Sequence, residues 1–370
     1  MPVPLTELTR QHAALAEPLR EAFEDVAASG QLVLGPHVRK FEKSLAQACG
    51  VAHAVGVSSG NDAILLALLA LGIGPGDEVI TTALAYLHLA ESIARLGATP
   101  VFADVQARTG NLDPETLLGK ITPRTKAILP THLFGLPADM GPIVDIAKEH
   151  GLKVIEDCDM AIGARYHGQT VGGIGDVATL SFYPTKNLAA LGDAGAVLTN
   201  DGDLAERLRR GRVHGLEKGF VVRDLGGAFR LDGLQAAFLS VKLPHLQEWT
   251  ERRRVLAARY EKLLGSLPLT TPFDSEENEH VFNQYVVQVR GGGREPLRMH
   301  LDALGVANRV YYPRPLHLQP CFKPLGYQEG SLPVAEKASA ELLALPMFPE
   351  MTREEQDEVV DAVRDFFTGD

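Results

Sequence analysis

The chain has 370 residues, of which 45% are hydrophobic and 22% charged, and a net charge of −11. That length allows a large core and suits two domains, and the acidic balance excludes a nucleic-acid partner drawn in by a basic field. Three scattered cysteines (Cys49, Cys158, Cys321) exclude a disulfide framework or a zinc site, and with no secretory leader and no apolar run able to span a bilayer, a cytoplasmic protein without a membrane partner is expected.

In chain order, the first fifty residues read as helical, with a break at Leu34-Gly35-Pro36. A strand at Ala52–Val57 leads through Ser58-Ser59-Gly60-Asn61 into a helix that runs to Leu71. The alternation then repeats: strand Glu78–Thr82, helix Leu87–Leu96, strand Thr99–Ala103, short helix Pro114–Lys120, strand Ala127–Thr131, helix Met140–His150, strand Lys153–Glu156. Strands alternating with helices at this spacing predict a mostly parallel sheet covered on both faces, with ligands bound at the carboxyl ends of its strands. After Asn200 the rhythm changes. A helix is expected at Asp203–Arg212 and a long one over Asp232–Leu264, interrupted at Pro244. A strand at Val281–Val289 and helices at Glu295–Leu304, Ala335–Leu345 and Arg353–Phe367 complete the pattern. The chain therefore divides into a large domain, residues 1–240, and a smaller α+β domain, residues 241–370.

One stretch carries chemistry. Asp157 closes an apolar strand, and Lys186 follows another strand (Val177–Phe182) in a Tyr183-Pro184-Thr185-Lys186-Asn187 turn, with Gly192-Asp193-Ala194-Gly195 beyond. Pyridoxal phosphate (PLP) chemistry needs such a pair: an amine to form the Schiff base with the cofactor aldehyde, and a carboxylate to keep the pyridine nitrogen protonated. Taken singly, Lys186 also fits a surface loop and Asp157 a turn or helix cap, though the apolar flanks of Lys186 suggest enclosure. Glu156 falls on the opposite face of the strand from Asp157. Gly60 and Asn61 open a helix whose free N–H groups suit a phosphate, and Ser181 adds a hydroxyl. Tyr86 offers a ring for stacking, or a core aromatic. His317, in Tyr311-Tyr312-Pro313-Arg314-Pro315-Leu316-His317, offers a substrate contact, or a plain loop histidine.

These segments together resemble the DegT/DnrJ/EryC1/StrS family of sugar aminotransferases over nearly the full chain. The resemblance rests on Ser59-Gly60-Asn61-Asp62-Ala63, Gly74-Pro75-Gly76-Asp77-Glu78, Gly97-Ala98-Thr99-Pro100-Val101-Phe102, His132-Leu133-Phe134-Gly135, Val154-Ile155-Glu156-Asp157, Ser181 through Asn187, Arg230-Leu231-Asp232 and Tyr312-Pro313 with Pro315-Leu316-His317. It implies the α/β fold of type I PLP enzymes, with a mostly parallel seven-stranded sheet, and a homodimer with shared active sites. It implies Lys186 as the Schiff-base lysine, Asp157 as the partner of the pyridine nitrogen, Tyr86 as the stacking ring, and Gly60, Asn61 and Ser181 as phosphate contacts. Tyr312 and His317 would bind substrate, and no metal is implied. The implied reaction moves an amino group from L-glutamate to a keto group of a nucleotide-linked deoxysugar, and the Lys186 segment favours carbon 3 over carbon 4.

The chain departs from the family's pattern at three places. Met160 stands where a glutamine near the cofactor's phenolic oxygen is usual, and cannot supply its hydrogen bond. Ala228 replaces an asparagine that reaches the partner's phosphate, and Asn61 stands where Thr or Ser is common. These departures keep an altered, regulatory or ligand-binding relative in view. A PLP-dependent sugar dehydratase is opposed by Lys186, because such relatives carry His there. A nucleotide-cofactor oxidoreductase is opposed by the lack of a Gly-x-Gly-x-x-Gly turn between strand and helix.

Overall fold

The structure, a computed structural model, describes residues 2–217, 220–273, 275 and 277–369. Helices α1 (Thr9–Ala14), α2 (Ala16–Ser29) and α3 (Pro36–Cys49) open the chain. The alternating region supplies β1 (His53–Val57), α4 (Gly60–Ala70), β2 (Glu78–Thr82), α5 (His88–Arg95), β3 (Thr99–Ala103), β4 (Thr125–Leu129), α6 (Met140–His150) and β5 (Lys153–Asp157). A short hairpin, β6 (Arg165–Tyr166) and β7 (Gln169–Thr170), precedes β8 (Val177–Ser181), β9 (Gly195–Thr199) and α7 (Gly202–Gly211). The remainder is α8 (Gly233–Lys242), α9 (Leu246–Leu264), β10 (Asn278–Glu279), β11 (Tyr285–Gln288), α10 (Arg294–Ala303), α11 (Pro333–Glu341), β12 (Leu342–Leu345) and α12 (Arg353–Thr368).

The main sheet has seven strands in the order β1-β9-β8-β5-β4-β2-β3. All neighbours are parallel except β9, which runs antiparallel to both β1 and β8. Period-two alternation splits each strand between two cores. Val55, Val57 and Val197 pack with Ile64 and Leu66 of α4 and Leu208 of α7. Ala54, Ala196 and Leu198 pack with Phe41 and Leu45 of α3 and Leu239 of α8. Both faces are therefore covered, as a parallel sheet requires.

Among the described residues there are two further sheets, a three-stranded one in the order β10-β6-β7 and a two-stranded one that pairs β11 with β12 in antiparallel register; the latter belongs to the smaller unit. The core at the β11–β12 sheet joins Tyr260 of α9, Leu297 of α10 and Val359 of α12 to Tyr285, Val287, Leu343 and Leu345. The N-terminal segment also belongs here: Val3 N–H donates to Gly305 O (3.0 Å) and accepts at its carbonyl from Ala307 (2.9 Å). We propose the division near residue 240 with this exchange across it.

Four elements differ from expectation. Pro114–Lys120 forms two 3-10 turns, Pro114–Thr116 and Leu118–Lys120, with no α-helix. The helix expected to run to Leu345 stops at Glu341, because the apolar run Leu342-Leu343-Ala344-Leu345 extends and pairs with β11. That strand in turn is shorter than the apolar run Val281–Val289 that signals it. The reversed strand β9, which follows the Gly192-Asp193-Ala194 turn, is an element the expected strand–helix alternation does not include. The break at Pro244 is present as a 3-10 turn, Leu243–His245, between α8 and α9.

Candidate active site

The carboxyl ends of five strands converge. β1 leads to Ser59-Gly60-Asn61, β2 toward Tyr86 and His88, β4 to Thr131, β5 ends in Asp157, and β8 ends in Ser181, followed by Lys186. A parallel sheet places all of these on one edge regardless of sequence distance.

The cradle is made by α4. Ser59 caps the helix by accepting from Asp62 N–H (3.0 Å), which leaves the first N–H groups facing outward at the positive helix end. Ser92 of α5 donates to Asn61 Oδ1 (2.8 Å) and ties that residue in place. No side chain is tolerated at Gly60: a Cβ there would lie 2.7 Å from Ser181 Cβ and 2.6 Å from Asp159 Oδ2. The same crowding fixes Gly195, where a Cβ would lie 2.4 Å from the Ser59 carbonyl oxygen. Ser181 Oγ accepts from Tyr183 N–H (3.3 Å), so its own proton stays available to an anion.

Asp157 is 2% exposed. Its Oδ2 accepts from the Thr131 hydroxyl (2.7 Å) and its Oδ1 from Asp159 N–H (3.1 Å). His88 Nε2 lies 3.9 Å from Asp157 Oδ2 and 3.1 Å from Asp159 Oδ2. Burial works against both charges here, yet the mutual attraction prevails. It pulls Asp157 down to about 2 and lifts His88 to about 9. Asp157 thus stays ionised, which a protonated pyridine nitrogen requires. Tyr86, on the same edge, is 60% exposed, its ring 5.5 Å from the His88 ring and 6.3 Å from that of Tyr312. Burial, followed by Tyr311 and Asp157, drives the Tyr312 phenol well above its ordinary value.

Lys186 is half-buried, and its ammonium has no hydrogen-bond or ion-pair partner among the described residues. The turn that holds it is fixed from both sides. Asn283 donates to Thr185 O (3.1 Å) and to Asn187 Oδ1 (3.0 Å), and Asn187 donates to Val281 O (3.0 Å). An amine left unpaired on a fixed backbone is what covalent attachment of an aldehyde needs. Gly60, Asn61, Ser181, Asp157, Lys186 and Tyr86 therefore fit pyridoxal phosphate, with one dissonant neighbour in Asp159.

His317 does not join this group. Its side chain is fully buried, with Nε2 3.0 Å from Glu336 Oε1, and it offers no surface to a substrate. Tyr312, in the same motif, does lie at this edge, its ring 6.3 Å from that of Tyr86. Met160 is buried in the apolar core, consistent with its lack of a donor, and Ala228 is exposed. Sequence reasoning missed His88, Asp159, Thr131 and Asn283, whose roles depend on chain segments brought together only by the sheet.

Comparison with known proteins agrees with the geometry. The sequence profile of the DegT/DnrJ/EryC1/StrS aminotransferase family matches residues 14–364. The chain belongs to that family. It is 48% identical to the "Pleiotropic regulatory protein" of Geobacillus stearothermophilus, over 99% of both chains. It is 42% identical to the dTDP-3-amino-3,4,6-trideoxy-alpha-D-glucose transaminase of Streptomyces venezuelae, over 98% of this chain and 96% of the relative. The structure of S. venezuelae DesV in complex with a ketimine intermediate superposes with a TM-score of 0.96 at 42% identity, covering 99% of this chain and 98% of that one. NtdA from Bacillus subtilis with bound cofactor PMP gives 0.89 at 34%, covering 95% and 82%. The family member described here is a transaminase with pyridoxal phosphate as its cofactor. Among the described residues, no helix is long and apolar enough to cross a membrane.

Proposed function

We propose that this chain transfers an amino group from L-glutamate to the C3 keto group of a nucleotide-linked deoxysugar. The observation that carries the reading is an ionised, buried Asp157 at the end of β5 and, in the turn that follows the adjacent strand β8, a Lys186 amine without a partner among the described residues, both at one sheet edge. When bound, pyridoxal phosphate supplies an aldehyde for that amine and an electron sink for the substrate's bonding electrons. Gly60, Asn61 and Ser181 would hold its phosphate, Tyr86 would face its ring, and the Asp157 carboxylate would keep its ring nitrogen protonated. The Lys186 amine would hold the aldehyde and serve as the base that takes and returns the substrate's proton. The preference for C3 is supported by the 3-amino product in the name of the Streptomyces relative.

Tyr312 lines the substrate side, beside Tyr86 and within electrostatic reach of Asp157. We place the active site at a homodimer interface. The support is apolar surface on the same molecule: Phe220 is 90% exposed and Leu225 85%, with Val221 and Val222 more than half exposed between them. Surface of that kind is covered in a partner's presence.

The test is a visible absorbance spectrum of the purified chain with added pyridoxal phosphate, before and after L-glutamate. A band that bleaches with glutamate and is missing in Lys186→Ala supports the reading. The variant is expected to lose transamination entirely while keeping its far-ultraviolet circular dichroism. Full activity in Lys186→Ala would sink the lysine's assignment. A second reading, a regulatory ligand-binding role, draws on the name of the Geobacillus relative and on Met160 and Ala228. Absence of any band would bring it forward.

A further inference from the structure

Helix α4 turns its positive end and free N–H groups toward the place where an anion belongs, with the Ser181 hydroxyl beside them. One neighbour there has the opposite electrostatic effect. The Asp159 carboxylate presses on Gly60 so closely that a Cβ would meet Oδ2 at 2.6 Å and Oδ1 at 3.1 Å. The residue is 5% exposed, and its Oδ1 has no hydrogen-bond partner among the described residues. Its Oδ2 is 3.1 Å from His88 Nε2. Beside Gly60, at the first turn of α4, lies a buried acid with one oxygen unpaired among the described residues and the other 3.1 Å from a histidine.

Such an acid and an incoming phosphate draw on the same partial charge of the same helix end. The rest of the cradle is built from backbone N–H groups and the Ser181 hydroxyl, and the cation beside Asp159, His88, is shared with Asp157 and so offsets the clash only in part. We propose that Asp159 is a built-in rival of the cofactor phosphate: held against the N-terminus of α4 by His88, it lowers the affinity of this chain for pyridoxal phosphate. The proposal rests on the assignment of the cofactor to this cradle. It makes Asp159 a determinant of cofactor loading, so that the loaded fraction follows the cofactor concentration around the protein. A chain with a neutral residue at that position would stay loaded.

Equilibrium dialysis of the full-length chain, freed of cofactor and held at one pH, decides the matter. Two probes are used: pyridoxal phosphate, and pyridoxal, which lacks the phosphate. Asp159→Asn is expected to tighten pyridoxal phosphate by about tenfold or more and to leave pyridoxal within about threefold, the signature of a like charge removed from a partly desolvated site. Asp159→Ala is the second variant, should the amide disturb the His88 contact, and melting curves verify that both are folded. Equal affinity of wild type and variants for pyridoxal phosphate, with the visible band still forming, overturns the proposal and leaves the cofactor assignment standing. An equal gain for both probes also overturns it, since the carboxylate would then act on the ring. No uptake of pyridoxal phosphate by any of the three proteins removes the cofactor assignment and the proposal together.

Discussion

Glu156 and Asp157 are consecutive residues, both buried, and each faces a histidine, yet the two pairs are built differently. Glu156 accepts from Gly172 N–H (2.9 Å), Ile174 N–H (2.8 Å) and Gly175 N–H (2.7 Å), besides lying 3.1 Å from His132 Nε2. His132 Nδ1 in turn accepts from Ala138 N–H (2.9 Å), so that pair is fully satisfied. On the opposite face, among the described residues, His88 approaches two carboxylates without aligning a hydrogen bond to either, and Asp159 Oδ1 has no partner. A saturated polar network anchors a fold; an unsaturated one at a sheet edge retains capacity for a ligand. The strand alternation alone separates the two roles by one residue.

The comparison can be broken most forcefully at Glu156. Glu156→Ala strands three backbone donors and His132 in the interior, and is expected to cost about 3–5 kcal/mol of stability. Urea unfolding measures it, and a cost near zero would mean the network is not an anchor. Asp157→Asn is expected to act on rate instead of folding: the cofactor stays bound while kcat falls about a hundredfold or more. Steady-state kinetics alongside the retained absorbance band test that split, and a drop in melting temperature as large as that of Glu156→Ala would erase the distinction.

Titration sharpens the contrast next. His88 is lifted from 6.5 to about 9, so the stability it contributes is complete below pH 6.5 and fades as pH rises through 9. Asp157 is lowered from 3.8 to about 2, so its contribution is complete above pH 3.8 and fades as pH falls through 2. Melting temperature of the cofactor-free chain should therefore decline on the alkaline side, and His88→Ala should flatten that decline. An unchanged alkaline limb in the variant would count against the ion pair. The smallest effect is expected for Asn283→Ala, which removes two hydrogen bonds from the Lys186 turn at a cost of about 1–2 kcal/mol, read by thermal unfolding.

Much of this was legible in the sequence because strand ends are marked locally. An apolar run followed by Asp157, and another followed by Ser181 and Lys186, signal both the strand and the chemistry at its tip. Gly60 was legible as a helix opening, while the reason no larger residue fits there is the proximity of Ser181 and Asp159, which only the folded sheet creates. His88 had no local signature, since a histidine at a helix start is compatible with many environments until Asp157 and Asp159 arrive from β5. His317 shows the converse. Its motif singled it out, but Glu336, nineteen positions away, captures the ring. The misassigned helix end at Leu342–Leu345 has a similar origin, because a short apolar run satisfies either periodicity until β11 lies alongside.

The reversed strand β9 has a consequence for how this site can vary among relatives. Parallel neighbours are joined by connections that carry the chain to the far edge of the sheet, through α5 between β2 and β3, α6 between β4 and β5, and the β6–β7 hairpin between β5 and β8. The β8–β9 connection alone leaves the catalytic edge and returns to it, with Phe182 N–H bonded to Ala194 O (2.8 Å) and Ala190 N–H to Phe182 O (2.8 Å). An insertion in residues 182–194 would shift the lysine at its start and the Gly195 contact with Ser59 at its end in a single event. Length variation should therefore be confined to the far-edge loops, which can drift in size without touching the chemistry.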